Sequence, residues 1–175
     1  MVFFTSDPHF GHANIIKYSN RPFTTVDEMD QALVANWNAV VTKGDEVYIL
    51  GDLTMGDQAL ADRVLRQLNG RKYLVRGNHD YFAKNYTGHE LAWVKDYHEL
   101  KHSKQLLILS HYPFVEWNRS HHGSIHLHGH QHNHADYNLR QRREGKLLYD
   151  VGMDANNFTP VSLDKLLRFL NLGQQ

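Results

Sequence analysis

The chain has 175 residues, with 19 basic and 19 acidic side chains and a formal net charge of zero. That balance offers no general attraction to nucleic acid or to an anionic membrane, although a local basic patch remains compatible with it. There is no cysteine, which excludes disulfides and thiolate metal sites and fits a reducing cytoplasm. We expect residues 1–175 to form a single cytoplasmic domain, because the start is too short for the apolar core of a signal peptide and no run could span a bilayer.

The first half of the chain predicts three β-strands that alternate with helices. A helix begins at the capping box Thr25-Val26-Asp27-Glu28, and a second helix is capped by Asp57 and ended by Asn69-Gly70. The order βαβαβ implies neighbouring parallel strands joined by right-handed crossovers. The predicted strands are Val2–Ser6, Glu46–Leu50 and Lys72–Val75, and the first helix carries an apolar stripe of Val26, Met29, Leu33, Trp37 and Val40.

The second half is less regular in its pattern. We expect a short helix near Glu90, a strand near Tyr97 and an exposed loop from Phe114 to Gly123. Further predicted elements are strands at Gln105–Leu109, Ser124–His128 and Leu147–Val151, and a final helix from Ser162 through Leu170. Histidine is unusually frequent, with fourteen in the chain and seven of them from His121 to His134. Such a concentration indicates metal chemistry.

Polar side chains follow the predicted strands where each of them ends. Open α/β sheets place their ligands at that edge, so these side chains are expected to lie together. All of them offer oxygen or nitrogen donor atoms and none offers sulfur, which indicates a two-metal hydrolytic centre. The residues concerned are Asp7, His9, Asp52, Asn78, His79, His111, His130 and His132.

These segments resemble, motif by motif, the calcineurin-like metallophosphoesterases. The family pattern is Asp-x-His, Gly-Asp, Gly-Asn-His-Asp/Glu, a single His and Gly-His-x-His. The resemblance implies an α/β fold, namely a four-layer αββα sandwich of two mixed β-sheets flanked by helices. In this chain the motifs are Asp7-Pro8-His9, Gly51-Asp52, Gly77-Asn78-His79-Asp80, His111 and Gly129-His130-Gln131-His132.

The resemblance also implies a role for each side chain. His79 would not bind metal but would protonate the leaving oxygen while a metal-bridging hydroxide attacks phosphorus in line. The ligand types suit two ions of Mn, Fe, Zn, Co or Ni, with Mn as the first choice. Asp7, His9 and His132 would hold the first ion, Asn78, His111 and His130 the second, and Asp52 would bridge both.

One departure from the family bears on the reaction. Protein serine/threonine phosphatases carry Gly-Asp-x-x-Asp-Arg-Gly, whereas Leu-Thr-Met-Gly follows Asp52 here, so the arginine that would grip a monoester dianion is absent. A phosphodiesterase for a small phosphodiester is therefore the leading interpretation. A phosphomonoesterase or nucleotide phosphatase, a nuclease, a nickel-storage protein and a non-catalytic metal-binding scaffold are the alternatives. A nucleic-acid partner is not expected but stays open, no membrane partner is expected, and the oligomeric state is undetermined.

Several further residues have more than one interpretation. Arg76 could reach a phosphate or form a salt bridge, and Asp80 is expected to fix its loop or support a ligand rather than to bind metal itself. Trp117 and Arg119 could belong to a recognition loop or to an ordinary surface loop. His12 could contact substrate, support a ligand or cap the next helix. His126 and His128 are expected in the core or behind the ligands, and His121, His122 and His134 at the surface.

Overall fold

The structure, a computed structural model, describes residues 1–172 and contains two mixed β-sheets with helices on their outer faces. The predicted four-layer α/β sandwich is therefore confirmed. The strands are β1 (Val2–Thr5), β2 (Glu46–Ile49), β3 (Arg71–Val75), β4 (Leu91–Lys95), β5 (His98–His102), β6 (Gln105–Leu109), β7 (Ile125–His128), β8 (Leu148–Asp150) and β9 (Val161–Ser162). The helices are α1 (Ala13–Tyr18), α2 (Val26–Val40), α3 (Gln58–Leu65), α4 (Asp136–Arg143) and α5 (Leu163–Phe169).

Each sheet is mostly parallel, with one antiparallel strand at an edge. The first sheet has the order β4-β3-β2-β1-β9, in which β1 to β4 are parallel and β9 is antiparallel. The second has the order β5-β6-β7-β8, in which only β5 is antiparallel to its neighbour. The predicted βαβαβ unit is present as β1-α2-β2-α3-β3. Parallel strands bring their carboxyl ends to one edge, and this positions the site.

The alternation of side chains along the strands separates two hydrophobic cores. In β1, Phe3 packs with the α2 side chains Leu33 and Trp37, whereas the next residue, Phe4, packs with Leu107 and Leu127 of the second sheet. Because successive strand residues face opposite sides, one short apolar strand contributes to both layers. Helix α5 completes the core between the sheets, and α4 packs on the outer face of the second sheet against β8.

Helix α2 follows the predicted stripe, with one change at its amino terminus. Met29, Leu33 and Trp37 are fully buried. The hydroxyl of Thr25 accepts the backbone N–H of Glu28 at 3.2 Å, as in a capping box. The Glu28 carboxylate, however, accepts from the backbone N–H of Thr24 rather than of Thr25.

The segment after β3 differs from its prediction. No helix forms near Glu90; β4 begins at the next residue and pairs with β3 through Leu74 and Val94. The predicted strand near Tyr97 is present, because β4 ends at Lys95 and β5 begins at His98, with Tyr97 in the turn between them. Strand β9 and helix α4 were not predicted. Helix α4 has the sequence Asp-Tyr-Asn-Leu-Arg-Gln-Arg-Arg, in which a single aliphatic residue gives no apolar stripe.

None of the helices within residues 1–172 has the length and apolar character needed to cross a bilayer.

Candidate metal centre

The seven predicted ligands meet at the carboxyl edge of both sheets. The loops after β1 and β2 run side by side, since the backbone N–H groups of Asp7 and His9 donate to the carbonyls of Gly51 and Asp52 at 3.0 Å. The loop after β7 is tied to the loop after β1 by the His130 N–H, which donates to Asp7 Oδ2 at 2.9 Å. The two sheets therefore share one site.

The first candidate metal site consists of Asp7, His9 and His132, whose ligand atoms all lie within 4.8 Å of one another. Asp7 and His9 are each only 1% exposed. Asp7 Oδ1 and both ring nitrogens of His9 have no hydrogen-bond partner in the described part of the chain. Because buried polar atoms are almost always paired, these unpaired atoms fit a cation as their partner.

The second candidate metal site consists of Asp52, His111 and His130, again within 4.8 Å of one another, together with Asn78. His111 Nδ1 lies 2.8 Å from the carbonyl oxygen of Leu50, which can only accept, so in the neutral ring the proton sits on Nδ1. His111 Nε2 then presents a lone pair, and it faces Asn78 Oδ1 at 3.0 Å. Lone pairs that face one another in this way fit a shared cation.

The carboxylate of Asp52 lies between the two sites. Its Oδ2 is 3.6 Å from His9 Nε2 in the first site and 3.5 Å from His111 Nε2 in the second. Its Oδ1 accepts the backbone N–H of His79 at 2.8 Å, which fixes the orientation of the group. A carboxylate in this place can serve ions on both sides.

Burial controls the charge of the first site. Burial raises the pKa of Asp7 to about 8, opposed mainly by the charge of His132. Burial, together with the charges of His132 and Arg21, lowers the pKa of His9 to about 2. The protein alone thus favours a neutral carboxyl and a neutral imidazole. A bound cation would favour the ionised carboxylate of Asp7 and would keep the imidazole of His9 neutral. These are the forms of the two side chains that bind a metal.

Strained backbone accompanies most of the ligands. Five of the seven have positive φ values between 49° and 72°, in the left-handed region that residues with a Cβ rarely adopt. Such conformations cost about 1–3 kcal/mol each and occur mainly at functional sites. The five are Asp7, His9, Asp52, His130 and His132.

Two glycines in the motifs permit the close approach of these loops. A Cβ on Gly77 would overlap the carboxylate of Asp52, and a Cβ on Gly129 would overlap Ser6 and the carboxylate of Asp7. Any larger residue would therefore displace a ligand.

A buried network supports the first site from behind, and the sequence pattern did not reveal it. Asp154 Oδ2 lies 2.8 Å from His132 Nδ1, which leaves the other ring nitrogen of His132 for a metal. Arg21 donates to both oxygens of Asp154 at 2.9 Å, and to the backbone carbonyls of Asp7 and Pro8 at 2.7 and 2.8 Å. Neither Arg21 nor Asp154 belongs to a motif, so no local signal could have identified them.

Asp80 and Arg76 have structural contacts rather than contacts with the ligand atoms. The Asp80 carboxylate accepts the backbone N–H groups of Asp52, Leu53 and Gly77 at 2.8–2.9 Å, and so joins the second motif to the third. Burial raises the pKa of Asp80, whereas the N–H donors lower it. Arg76 pairs with the exposed carboxylate of Asp96, as in the salt-bridge alternative.

A cleft of about 610 Å³ opens beside the two sites. His79 lines this cleft, and its ring lies edge-on to His9 at 5.5 Å between centroids. His12 lines it as well, 5.4 Å from His9. His12 is the N-cap residue of α1, as one interpretation expected, but its side chain makes no capping hydrogen bond.

The remaining candidates lie outside the cleft. Arg119 lines another depression, at the end where β6 and β7 begin, with Gln105 and Ser124. Trp117 donates to the carbonyl of Ser124 and packs on His126. The recognition-loop interpretation of Trp117 and Arg119 is thus not supported by their position. His126 and His128 are fully buried on the outer face of β7, whereas His121, His122 and His134 are exposed.

Known proteins resemble this chain over nearly its whole length. The uncharacterized protein MJ1445 of Methanocaldococcus jannaschii is 38% identical, with 99% of this chain and 93% of that protein covered. The gene 66 proteins of Mycobacterium phages L5 and D29 are 31% and 33% identical, each over 88% of this chain and over 86% and 88% of their own lengths. No protein-family profile matches the chain.

Two solved structures resemble the fold. The Aquifex aeolicus protein of unknown function AQ665 superposes with a TM-score of 0.73 and 25% identity, over 96% of this chain and 98% of that one. The E. coli phosphoesterase Yfce is a distant neighbour, with a TM-score of 0.42 and 17% identity over 93% of this chain and 81% of that one.

Proposed function

The chain belongs to the family of the archaeal protein MJ1445 and the mycobacteriophage gene 66 proteins, and we propose that it is a dinuclear metal-dependent phosphodiesterase of the calcineurin-like metallophosphoesterase superfamily. The observation that carries the proposal is the position of Asp52, whose carboxylate lies between two separate clusters of ligand side chains. A storage protein or a scaffold would not need that shared carboxylate.

The donor set fits two ions. Asp7, His9 and His132 would hold one, Asn78, His111 and His130 the other, and Asp52 both. Imidazole, carboxylate and amide ligands without sulfur suit Mn, Fe, Zn, Co or Ni, of which Mn is our first choice. When bound, a pair of such ions lowers the pKa of water toward about 7 and neutralises charge on the phosphoryl oxygens.

His79 is the side chain that we assign to the leaving group. Its backbone is fixed to Asp52, its ring lines the cleft, and it belongs to neither cluster of ligand atoms. In the proposed hydrolysis a water oxygen bonds to phosphorus while the bond from phosphorus to the leaving oxygen breaks. The leaving oxygen takes the proton of the His79 imidazole, and the proton released by the water restores it.

The charges of the cleft favour a diester over a monoester. Among the described residues, neither a lysine nor an arginine lines the cleft, and Asp52 is its one carboxylate. A monoester dianion would bring a second negative charge, for which the cleft offers no basic side chain and which the bound ions alone would have to balance. A diester carries a single charge. The same feature disfavours a nuclease, since a nucleic-acid strand would bring further phosphates to the cleft.

Hydrolysis of bis(p-nitrophenyl) phosphate by the full-length protein tests the proposal. Protein loaded with Mn²⁺ should bind close to two ions per chain and release p-nitrophenol, and a chelator should stop the release. Asp52→Asn should abolish turnover. Asp164→Asn is the matched control, because Asp164 is exposed and lies at the opposite edge of the sheet beside Glu46. Turnover by Asp52→Asn near the wild-type rate, or a metal-loaded protein without activity, would reject the proposal.

A further inference from the structure

The cleft extends beyond the ligand side chains, along one side of α1. Three of the residues that line this extension, Asn14, Ile15 and Tyr18, belong to α1, and Met55 comes from the loop after β2. The imidazole of His12 connects the extension to the site, with its ring 5.4 Å from His9 and 6.3 Å from the ring of Tyr18. A substrate whose phosphate lies at the ligand clusters could therefore place another of its groups in this extension.

Large apolar side chains are exposed in this extension. Tyr18 is 76% exposed and Met55 is 44% exposed, although both have a hydrophobic surface that water solvates poorly. An aromatic ring that stays open beside a reactive site is suited to stack on a flat group of a substrate. A thioether beside it adapts to the outline of such a group.

The polar groups of the extension are uncharged. Asn14 and Gln131 each offer an amide donor and an amide acceptor, and Ser19 offers a hydroxyl. Among residues 1–172 no lysine or arginine lines the cleft, so a second phosphate would find no basic side chain there. Amides beside an aromatic ring match the edge and the face of a nucleobase.

From this combination we infer that the α1 groove, defined as His12, Asn14, Tyr18, Met55 and Gln131, binds the nucleobase of a mononucleotide-type phosphodiester, an inference that rests on the proposed phosphodiesterase function. The base stacks on Tyr18 and Met55, and its edge bonds to the amides. The single phosphate of the substrate lies at the ligand clusters. A polyphosphate or a nucleic-acid strand is a poorer substrate, because its additional charges meet no cation.

Competitive inhibition can distinguish the contribution of the base to binding from that of the phosphate. Thymidine 5′-monophosphate and methyl phosphate share one phosphate group and differ in the nucleoside. Against the hydrolysis of bis(p-nitrophenyl) phosphate by the Mn²⁺-loaded wild type, the nucleotide should have the lower inhibition constant, by roughly 5–100-fold for one stacked base. Tyr18→Ala should remove most of this difference, and Tyr18→Phe should keep it, because the ring and not the hydroxyl provides the stacking.

Tyr97→Ala is the matched control, since Tyr97 is also exposed, at 39%, but does not line the cleft. It should leave the ratio of the two inhibition constants unchanged. Equal constants for the two phosphates in the wild type, or a ratio that Tyr18→Ala leaves intact, would overturn the inference while the phosphodiesterase function stands. Saturation-transfer NMR on the thymine protons reads base binding without turnover. If the protein hydrolyses no diester, the proposed function is contradicted, whereas the NMR measurement still shows whether the groove binds the base.

Discussion

The carboxylate of Asp154 lies 2.8 Å from Nδ1 of His132, and it is the same carboxylate that the guanidinium of Arg21 holds with two hydrogen bonds of 2.9 Å. Burial lowers the pKa of His132, but the hydrogen bond to Asp154 and the charges of Asp7 and Asp154 outweigh it, so that the net shift is upward. Arg21 also donates to the carbonyl of Asp7. One buried side chain therefore positions two of the three ligands of the first site.

Loss of this network should weaken one metal site only. Asp154→Asn replaces a charged acceptor by an amide, and changes of this kind behind a ligand histidine typically cost 10–100-fold in metal affinity. We expect such a loss for the first ion and a much smaller change for the second, measured by titration with Mn²⁺. Arg21→Lys should act in the same direction, since lysine cannot form the two-pronged pair.

Asp136→Asn is the matched control for that experiment. Asp136 and Arg140 form an exposed pair on α4, with an N–O distance of 3.6 Å, and surface pairs contribute little. Equal weakening of both ions in Asp154→Asn would indicate a general loss of structure instead of a positioning role for Asp154.

Removal of the His79 imidazole should separate chemistry from metal binding. His79 belongs to neither ligand cluster, so His79→Ala should still bind about two ions. Hydrolysis should slow by roughly 10²–10⁴-fold for diesters with an alkyl leaving group, which needs a proton, and by less for p-nitrophenyl esters. His89→Ala, at an exposed position, is the control. A variant that loses one ion would identify His79 as a ligand, contrary to the proposed role.

Substitution of a ligand should make the metal-free protein more stable. The buried Asp7 carboxyl has one oxygen, Oδ1, without a partner in the described residues, and burial raises its pKa to about 8. At neutral pH the Asp7 carboxyl is ionised in the unfolded chain, so folding must either bury its charge or take up a proton. Asp7→Asn has neither cost, and its amide oxygen can still accept the His130 N–H. We expect the free energy of unfolding by urea, in chelator at neutral pH, to rise on the order of 1 kcal/mol or more. The same variant should lose the first ion.

The control for this comparison is again Asp164→Asn, which should change the stability by no more than about 0.5 kcal/mol. If Asp7→Asn were less stable than the wild type without metal, burial of the Asp7 carboxyl would not be costly in the metal-free protein.

The sequence was sufficient to predict which side chains meet at the site, because topology alone brings them together. Side chains that follow parallel strands meet at one edge whatever the details of packing, so Asp7 and Asp52 could be paired from their positions after β1 and β2. The contacts behind the ligands follow no such rule. Arg21 and Asp154 are 133 positions apart and meet only because the loops fold over one another. Helix α4 was missed because tertiary contacts such as that of Asn138 with Asp150, rather than an apolar stripe, hold it in place.

A buried histidine away from the ligands should make stability depend on pH. His126 is fully buried, its Nδ1 lies 3.0 Å from the carbonyl of Ile108, and its Nε2 accepts the N–H of Phe114. Burial lowers its pKa to about 4. Since an unfolded histidine titrates near 6.5, the unfolded state takes up the proton first as the pH falls. The contribution of neutral His126 is therefore complete above about pH 6.5 and declines toward pH 4, by up to about 1.4 kcal/mol per pH unit.

Urea unfolding of the wild type and of His126→Gln, in chelator at several pH values between 7 and 4.5, measures this contribution. Glutamine does not titrate, so the stability difference between the two proteins should shrink as the pH falls, whereas the ligand histidines contribute equally to both. The ring protons of His126 should titrate near pH 4 by NMR in the folded protein. A stability difference that stays constant over the range would mean that the folded protein accepts a charged His126 as readily as the unfolded chain does. The packing of the His126 ring against Phe114 and Trp117 would then not exclude the charged form.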